Sequence, residues 1–496
     1  MTLRVTNTLT GEREAFEPAD PDSVLLYYCG LTTSDPAHLG HARGWVHVDV
    51  MHRWLEHLGY DVRHVENFTD VNEKIVARVG EDGSSEAEVA RSYVRSILRD
   101  MRSLNLLRAE VYPRVSEHVP EIIDLVETLV DRGYAYESGG SVYFDVTAFE
   151  GYGKLSNQDA GGLDAQGDPD ELDEKRHPAD FALWKAGGVD PGDIEDHQHE
   201  AAAPPERACE TAQTWESPWG EGRPGWHIEC SAMSMTHLDG TIDIHVGGQD
   251  LVFPHHENEI AQSEAATGET FARYWLHVRL LDAADEEKMS SSLGNFETVA
   301  EAVEAYGANA VRTFLVSTAY HNDAVYSRET MREAERRWDG LRRGYERAVD
   351  ARDSVDARTK VTDADLRGIV ADARVAFTDA MNDDFNTRGA LAALEDVVSA
   401  VNSHLDGHEE YDYRGLRDAV DTLEELGGGV FGLDFETAEP TGEVSVAEDL
   451  VELVLEVRER EREAGNYERA DELRDELEAL GVEVQDTDDG PEYRFG

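Results

Sequence analysis

The sequence predicts an α/β protein: a doubly wound parallel sheet carrying an insertion, then an α-helical bundle and a small C-terminal α+β domain. Three observations predict it. A strand–helix–strand pattern occupies residues 22–68, strand-like runs return only after residue 240, and helical periodicity takes over after Ser327.

Residues 22–30 form an apolar run bounded by Pro21 and Gly30, which is the signature of a buried strand. From His38 to Leu58 apolar residues recur at three- and four-residue spacing, so a helix is expected, and 61–68 (DVRHVENF) reads as the next strand. The runs 241–246 and 274–278 resume the sheet, which makes the stretch between them an insertion. Within it, 187–214 is acidic, rich in Ala and Pro and aperiodic, as a solvated loop would be. Helical patterns follow at 329–348, 363–380 and 387–404. Residues 437–443 read as a linker, and two helix patterns then precede a hairpin candidate at 482–495. The expected divisions are 1–117 and 221–328 for the halves of the sheet domain and 118–220 for the insertion. The bundle takes 329–436, and the linker with the last domain 437–496.

Composition narrows the setting. The 496 residues carry 105 Asp and Glu against 45 Lys and Arg, a formal charge of −60, yet 40 % are hydrophobic. The acidity runs along the whole chain, so neither disorder nor a local acidic docking patch accounts for it. At molar salt the Debye length shrinks to about 3 Å, where such self-repulsion is screened and a hydrated carboxylate surface keeps a protein soluble. The charge therefore reads as salt adaptation. The N-terminus has no basic segment followed by an apolar core, and no run is long enough to span a bilayer, so a cytoplasmic protein without membrane contact is expected. Three cysteines argue against a disulfide framework.

Three motifs carry chemistry. In PAHLGHAR, His38 and His41 flank Gly40 at a helix start, where unpaired amide donors favour phosphate and a missing side chain admits a flat base. In KMSSSLGN, Lys288 is the cation of a polar, Ser-rich segment able to clamp phosphates. Finally, Cys29 ends the first strand, Cys230 lies in GWHIECSAM, and FPHHENEI offers His255, His256 and Glu259. If a helix starts near Pro254, Glu259 shares a face with His255 four residues back or His256 three back. Two thiolates, one imidazole and one carboxylate suit zinc, with either histidine open. A metalloprotease H-E-x-x-H is excluded because Ile260 occupies its second histidine position. Cys209, in the acidic stretch, is expected to do nothing chemical.

CGLTTSDPAHLGHAR, NFTDVNEKI, DEKRHPADFALWKA, RPGWHIECSAMS, IHVGGQDLVFPHHENEIAQSEA, KMSSSLGN, MNDDFNT and YERADELRDELEALGVEVQDT, in that order, resemble the cysteinyl-tRNA synthetases of class I. The resemblance runs from about residue 3 to the C-terminus. It implies a Rossmann-like catalytic domain, zinc ligands Cys29, Cys230, His255 and Glu259, and a substrate pocket of Thr69, Trp226, His245 and Asp250. For ATP it implies Gly40, Gly247, Asp250, Lys288, Ser290 and Ser291, with His38, His41 and Lys288 catalytic and Mg²⁺ on the phosphates. Ser291 departs from the family's usual second lysine. The implied partners are ATP, L-cysteine and tRNA(Cys), the last held partly by a C-terminal anticodon-binding domain, and a monomer is expected. A soft, easily ionised thiolate on zinc would separate cysteine from serine where apolar pockets discriminate poorly. The alternatives are a cysteine ligase acting on a non-tRNA amine and an inactive zinc-containing RNA-binding paralogue. Arg332, Arg336, Arg337, Arg342, Arg343 and Arg347, concentrated in the first bundle helix, are expected to supply part of a less acidic track for the polyanion.

Overall fold

The computed structural model describes residues 2–158, 166, 172–199, 201–283 and 297–435. Beyond these it describes 454, 455, 458, 469, 470, 473, 474, 477, 482–487 and 490–495. Two compact units divide at Asp434/Phe435.

The first unit opens with an antiparallel pair, β1 (Arg4–Asn7) and β2 (Glu12–Ala15), which the sequence pattern did not announce. The parallel sheet starts at β3 (Ser23–Tyr28), whose Val24, Leu26 and Tyr27 are fully buried, as expected of a strand covered on both faces. Helix α1 (Leu39–His57) leads to β4 (Asp61–Glu66), and the single turn α2 (Glu73–Val76) to α3 (Glu86–Ser103). After α4 (Val119–Asp131) come β5 (Ala135–Ser138), β6 (Ser141–Phe144) and β7 (Phe181–Ala186). The short helices α5 (Pro191–Ile194) and α6 (Pro205–Cys209) precede β8 (Trp215–Ser217) and β9 (Gly220–Pro224). Strands β5–β9 make an antiparallel sheet in the order β5-β6-β7-β9-β8. One core joins it to α4 and to the helices that follow, through residues such as Ile122, Leu129, Phe144, Trp184, Ile228 and Met233.

The stretch 187–214 is not the solvated loop expected from its composition. Val189, Ile194 and Ala208 are buried against Ile75, Val76 and Val89, with Cys209 packed at the margin. Its helices are one turn long and begin at Pro191 and Pro205, so they are too short to leave a periodic trace.

Helix α7 (Trp226–His237) returns the chain to β10 (Ile242–Gly248), α8 (Glu257–Thr267) and β11 (Ala272–Val278). The parallel sheet then has the order β11-β10-β3-β4, with Val246, Tyr28 and Glu66 in register at the carboxyl ends. Strand order reverses between β3 and β10, so a crevice opens there at the strand ends, where α/β sheets bind ligands. Next, β12 (Leu281–Ala283) pairs in parallel with a later strand, after α9 (Val299–Tyr306) and α10 (Ala308–Val316). That strand is β13 (Ala324–Tyr326).

The bundle consists of α11 (Arg328–Arg352), α12 (Ala364–Asn382), α13 (Thr387–Gly407) and α14 (Tyr413–Thr422), with a π-wound end at Leu423–Val430. Two-residue strands β14 (Ala357–Arg358) and β15 (Tyr411–Asp412) clip its loops together. Buried Arg312 ties it to the sheet domain, its guanidinium reaching Asp49 Oδ2 at 2.5 Å, Leu104 O at 2.7 Å and Phe431 O at 2.8 Å. Three arginines of the expected α11 track are taken by carboxylates: Arg337 by Glu395 at 2.6 Å, Arg342 by Glu346 at 3.4 Å and Arg347 by Asp406 at 2.7 Å. Arg332, Arg336 and Arg343 are exposed and, among the described residues, in no ion pair.

In the second unit, β16 (Val482–Thr487) and β17 (Gly490–Phe495) form the expected hairpin, and Leu455, Ala470, Leu473 and Leu477 are buried. Among the described residues no helix is long and apolar enough to cross a membrane.

Candidate active site

Cys29 lies one residue beyond β3, its amide still bonded to Val246 O at 3.0 Å, so sheet pairing itself aims the thiol into the crevice. Cys230, on the first turns of α7, brings its sulfur to 3.5 Å from Cys29 Sγ, and His255 Nε2 lies 3.4 Å from Cys29 Sγ. Glu259, one turn after His255, puts Oε1 3.0 Å from the same Nε2. All four are buried, and their ligating atoms lie within 4.8 Å of one another. The structure thus gathers His255, while His256 turns away to bond His277 Nε2 at 2.8 Å.

The donor set fits a soft divalent cation. Glu259 Oε1 has no aligned hydrogen-bond donor although it is fully buried, and an unspent buried acceptor demands a partner. Electrostatics agree. The contact with Cys29 and burial push the Cys230 thiol well up, which is the strain a bound cation relieves. Burial opposes charge on His255, yet Cys230 and Glu259 outweigh it and carry the ring up to about 10. Burial likewise opposes the Glu259 carboxylate, but His245 and His255 hold it down at about 2.

Around these donors sits a supporting layer. His245, fully buried and stacked on Trp275 at 4.3 Å, donates from Nε2 to Glu259 Oε2 at 2.8 Å. It therefore holds the carboxylate rather than lining an open surface. Trp226 is 42 % exposed and lies over the His255 ring with centroids 4.6 Å apart. Thr69 donates to Glu229 Oε2 at 3.4 Å. Asp250 lies exposed in the turn after β10. Gly247 is small because His256 occupies the space: a Cβ there would stand 2.3 Å from His256 Cε1.

Beside the cluster, α1 begins with a reciprocal cap. Gly40 N donates to His38 Nδ1 at 3.1 Å and His38 N donates to His41 Nδ1 at 3.2 Å, the two rings stacking at 3.7 Å. With Nδ1 an acceptor in both, each neutral ring carries its proton on Nε2 and presents a donor there. Desolvation and the neighbouring His38 hold His41 well below its ordinary value, so it stays neutral. A Cβ on Gly40 would meet the His38 ring at 2.8 Å, so the glycine makes room for the histidine cap.

Sequence reasoning missed Asn67, Glu229 and Arg43. Asn67 Oδ1 accepts from Tyr27 Oη and Gly30 N, both at 2.9 Å, and so shapes the end of β3. Its place after β4, in the quoted NFTD, was the available signal. Arg43, on α1 and 1 % exposed, donates to Arg279 O at 3.0 Å, Ala319 O at 3.0 Å and Asn322 O at 2.7 Å. Downstream, Leu39 N bonds Glu297 O and Val299 N bonds Ala37 O. Helix α1 thus grips both flanks of the chain that carries Lys288, Ser290 and Ser291, residues that themselves lie outside those described.

Comparisons with known proteins give the family. A family model described as the class I (C) tRNA synthetase catalytic domain matches residues 15–336. A DALR domain matches 376–436, and a cysteinyl-tRNA ligase anticodon binding domain 448–494. Cysteine–tRNA ligases of Haloarcula marismortui and Halobacterium salinarum are 74 % and 65 % identical over all of this chain and all of theirs. That of Moorella thermoacetica is 42 % identical over 98 % of this chain and 99 % of its own. Among solved structures, a methionyl-adenylate-bound methionyl-tRNA synthetase of Mycobacterium tuberculosis shares the fold with a TM-score of 0.61 at 16 % identity, covering 83 % of this chain and 92 % of its own. With a cysteinyl-tRNA ligase anticodon-binding match at 448–494 and full-length likeness to ligases from halophilic archaea, the chain belongs to the cysteine–tRNA ligase family of class I aminoacyl-tRNA synthetases.

Proposed function

We propose that in this cysteine–tRNA ligase Cys29, Cys230, His255 and Glu259 hold one zinc ion, and that this ion selects the substrate by its thiol. Convergence of two sulfurs, an imidazole nitrogen and an unspent carboxylate oxygen within 4.8 Å carries the reading. Bound there, zinc supplies a soft Lewis acid that prefers a thiolate to the hydroxyl of serine.

The chain's own residues do the rest. His245 fixes the Glu259 carboxylate, and Trp226 and Thr69 bound the pocket at its mouth and side. Neutral His38 and His41 donate from Nε2 toward ATP phosphates, which Mg²⁺ accompanies, while Lys288 with Ser290 and Ser291 closes on them from the other signature. Gly247 and Asp250 shape the nucleotide side at the end of β10. The cysteine carboxylate attacks the α-phosphorus and pyrophosphate leaves. The terminal adenosine hydroxyl of tRNA(Cys) then attacks the acyl carbon and AMP leaves. Positioning and fixed donors account for both steps, with no covalent enzyme intermediate. The ligase acts as a cytoplasmic monomer.

Metal analysis of purified protein tests the reading. One zinc per chain is expected, and chelation should abolish cysteine-dependent pyrophosphate exchange until zinc is restored. Full exchange by metal-free protein would overturn it.

A further inference from the structure

The catalytic half also contains a polar cavity of about 210 Å³ that the reaction as described does not use. It sits between α3 and residues 113–117, and its floor includes Asp70, the residue after Thr69. Asp70 is spent: its two carboxylate oxygens accept Ser116 N at 2.9 Å and Ser116 Oγ at 2.5 Å, and Gln213 Nε2 donates to its carbonyl at 3.3 Å. What remains are the guanidinium groups of Arg91, exposed on α3, and of Arg114, half-buried. Among the described residues neither is in an ion pair within 4 Å, although Arg114 stands near enough to Asp70, and Arg91 near enough to Glu88, to favour those carboxylates' charge. Nearby Arg78 and Arg223 do close on carboxylates, Asp35 at 2.8 Å and Glu73 at 3.3 Å.

In a chain with 105 acidic residues against 45 basic ones, two arginines around one cavity with no ion pair within 4 Å are a local concentration of positive charge whose hydrogen-bonding forks are not taken by a carboxylate. Guanidinium forks match phosphate oxygens in pairs. The volume falls below the ~300 Å³ at which whole-ligand pockets begin, so it suits a phosphate group with part of its sugar rather than a nucleoside triphosphate. The polyanion brought to Thr69 by the tRNA-charging activity, on which this inference rests, is the single-stranded acceptor end of tRNA.

We propose that Arg91 and Arg114 form a phosphate-binding cavity for the backbone of the tRNA acceptor end, beside the pocket that activates cysteine. The site would act on the second step only. In the full-length protein, Arg91→Ala and Arg114→Ala should each raise the KM for tRNA about tenfold, the equivalent of one charge-assisted contact. Each should flatten the logarithmic salt dependence of tRNA binding by about one ion. Cysteine-dependent pyrophosphate exchange should stay within about twofold of the parent, because the first step makes no use of tRNA phosphates. Arg114→Lys should recover part of the loss. A transcript trimmed of its single-stranded 3′ nucleotides should bind parent and variants alike, and inorganic phosphate should raise the parent's KM for tRNA more than the variants'.

Unchanged tRNA KM in both alanine variants would overturn the proposal. So would exchange falling in step with charging, or a trimmed transcript that still separates parent from variant. Phosphate that binds without affecting tRNA would assign the cavity to a free anion and overturn the RNA source. Exchange and charging by the parent report on the enzymatic activity separately, so its failure is distinguishable from failure of this site.

Discussion

Among the described residues, histidine and carboxylate donors come within 4.8 Å of one another in two regions: the catalytic crevice, where the set with His255 and an overlapping set of His245 and His256 share Glu259, and the bundle, where Asp363, His404 and His408 meet. The bundle set has no sulfur and is partly exposed, and its hydrogen bonds set it apart further. In the bundle His404 donates from Nδ1 to Asp363 Oδ2 at 2.7 Å and accepts Asp412 N at Nε2 at 3.0 Å, so neither nitrogen has a lone pair to give. Asp363 Oδ1 caps α12, and Asp412 accepts Arg367 at 2.6 Å through both oxygens. The bundle cluster is a closed network, while in the crevice Glu259 Oε1 stays unspent. Residue type nominates a metal site; uncommitted lone pairs make one.

Breaking the open cluster should cost most. Cys230→Ser is expected to release the metal and lower cysteine-dependent exchange about a thousandfold or more, as loss of a ligand exceeds the 10–100-fold typical of outer partners. Cys209→Ser should match the parent in metal content and exchange. Equal damage from the two would erase the distinction.

His245→Gln sharpens the contrast by loosening the carboxylate without removing a ligand. Metal affinity, measured by competition with a chelator, should fall roughly 10–100-fold.

The closed cluster should respond in stability instead. His404→Ala removes two buried hydrogen bonds and strands their partners, so unfolding free energy should drop by about 2–4 kcal/mol with zinc content unchanged. A variant short of zinc but normal in stability would reverse the two roles.

The smallest effect is a matter of pH. Burial opposes the Asp412 charge, but Arg367 and the amides of Asp363 and Gly415 outweigh it and hold the group down at about 2. A folded value below the unfolded one means its stabilisation is complete above about pH 4 and is lost as pH falls toward 2. Asp412→Asn should therefore unfold less steeply with acid over that window, by roughly 2 kcal/mol in thermal or denaturant titrations.

Much of this was legible from the residues. The apolar run into Cys29 is a strand, and the spacing from His38 to Leu58 is a helix observed as Leu39–His57, because burial on both faces and long 3.6-residue periodicity are one-dimensional signals. Short elements left no such signal: β12 and β13 are three residues each, and Val189, Ile194 and Ala208 reach a core at irregular intervals. In the site, residue types pointed to thiols, an imidazole and a carboxylate but left His255 and His256 equivalent. Only the turn before α8, which sends His256 to His277, separates them. Asn67 and Arg43 act through backbone groups distant in sequence, and such pairings leave no pattern along the chain.

The two grips that α1 keeps on the chain around residues 284–296 have a kinetic meaning. Lys288 is nine residues past Arg279 and nine before Glu297. At about 3.5 Å per residue, covalent reach alone keeps it within about 32 Å of either anchor. In the role proposed above for Lys288, that reach corresponds to an effective concentration in the millimolar range at the phosphates, however dilute the enzyme. Molar salt, which weakens each individual charge contact, leaves that confinement untouched, because it is set by covalent reach and buried backbone hydrogen bonds rather than by long-range attraction.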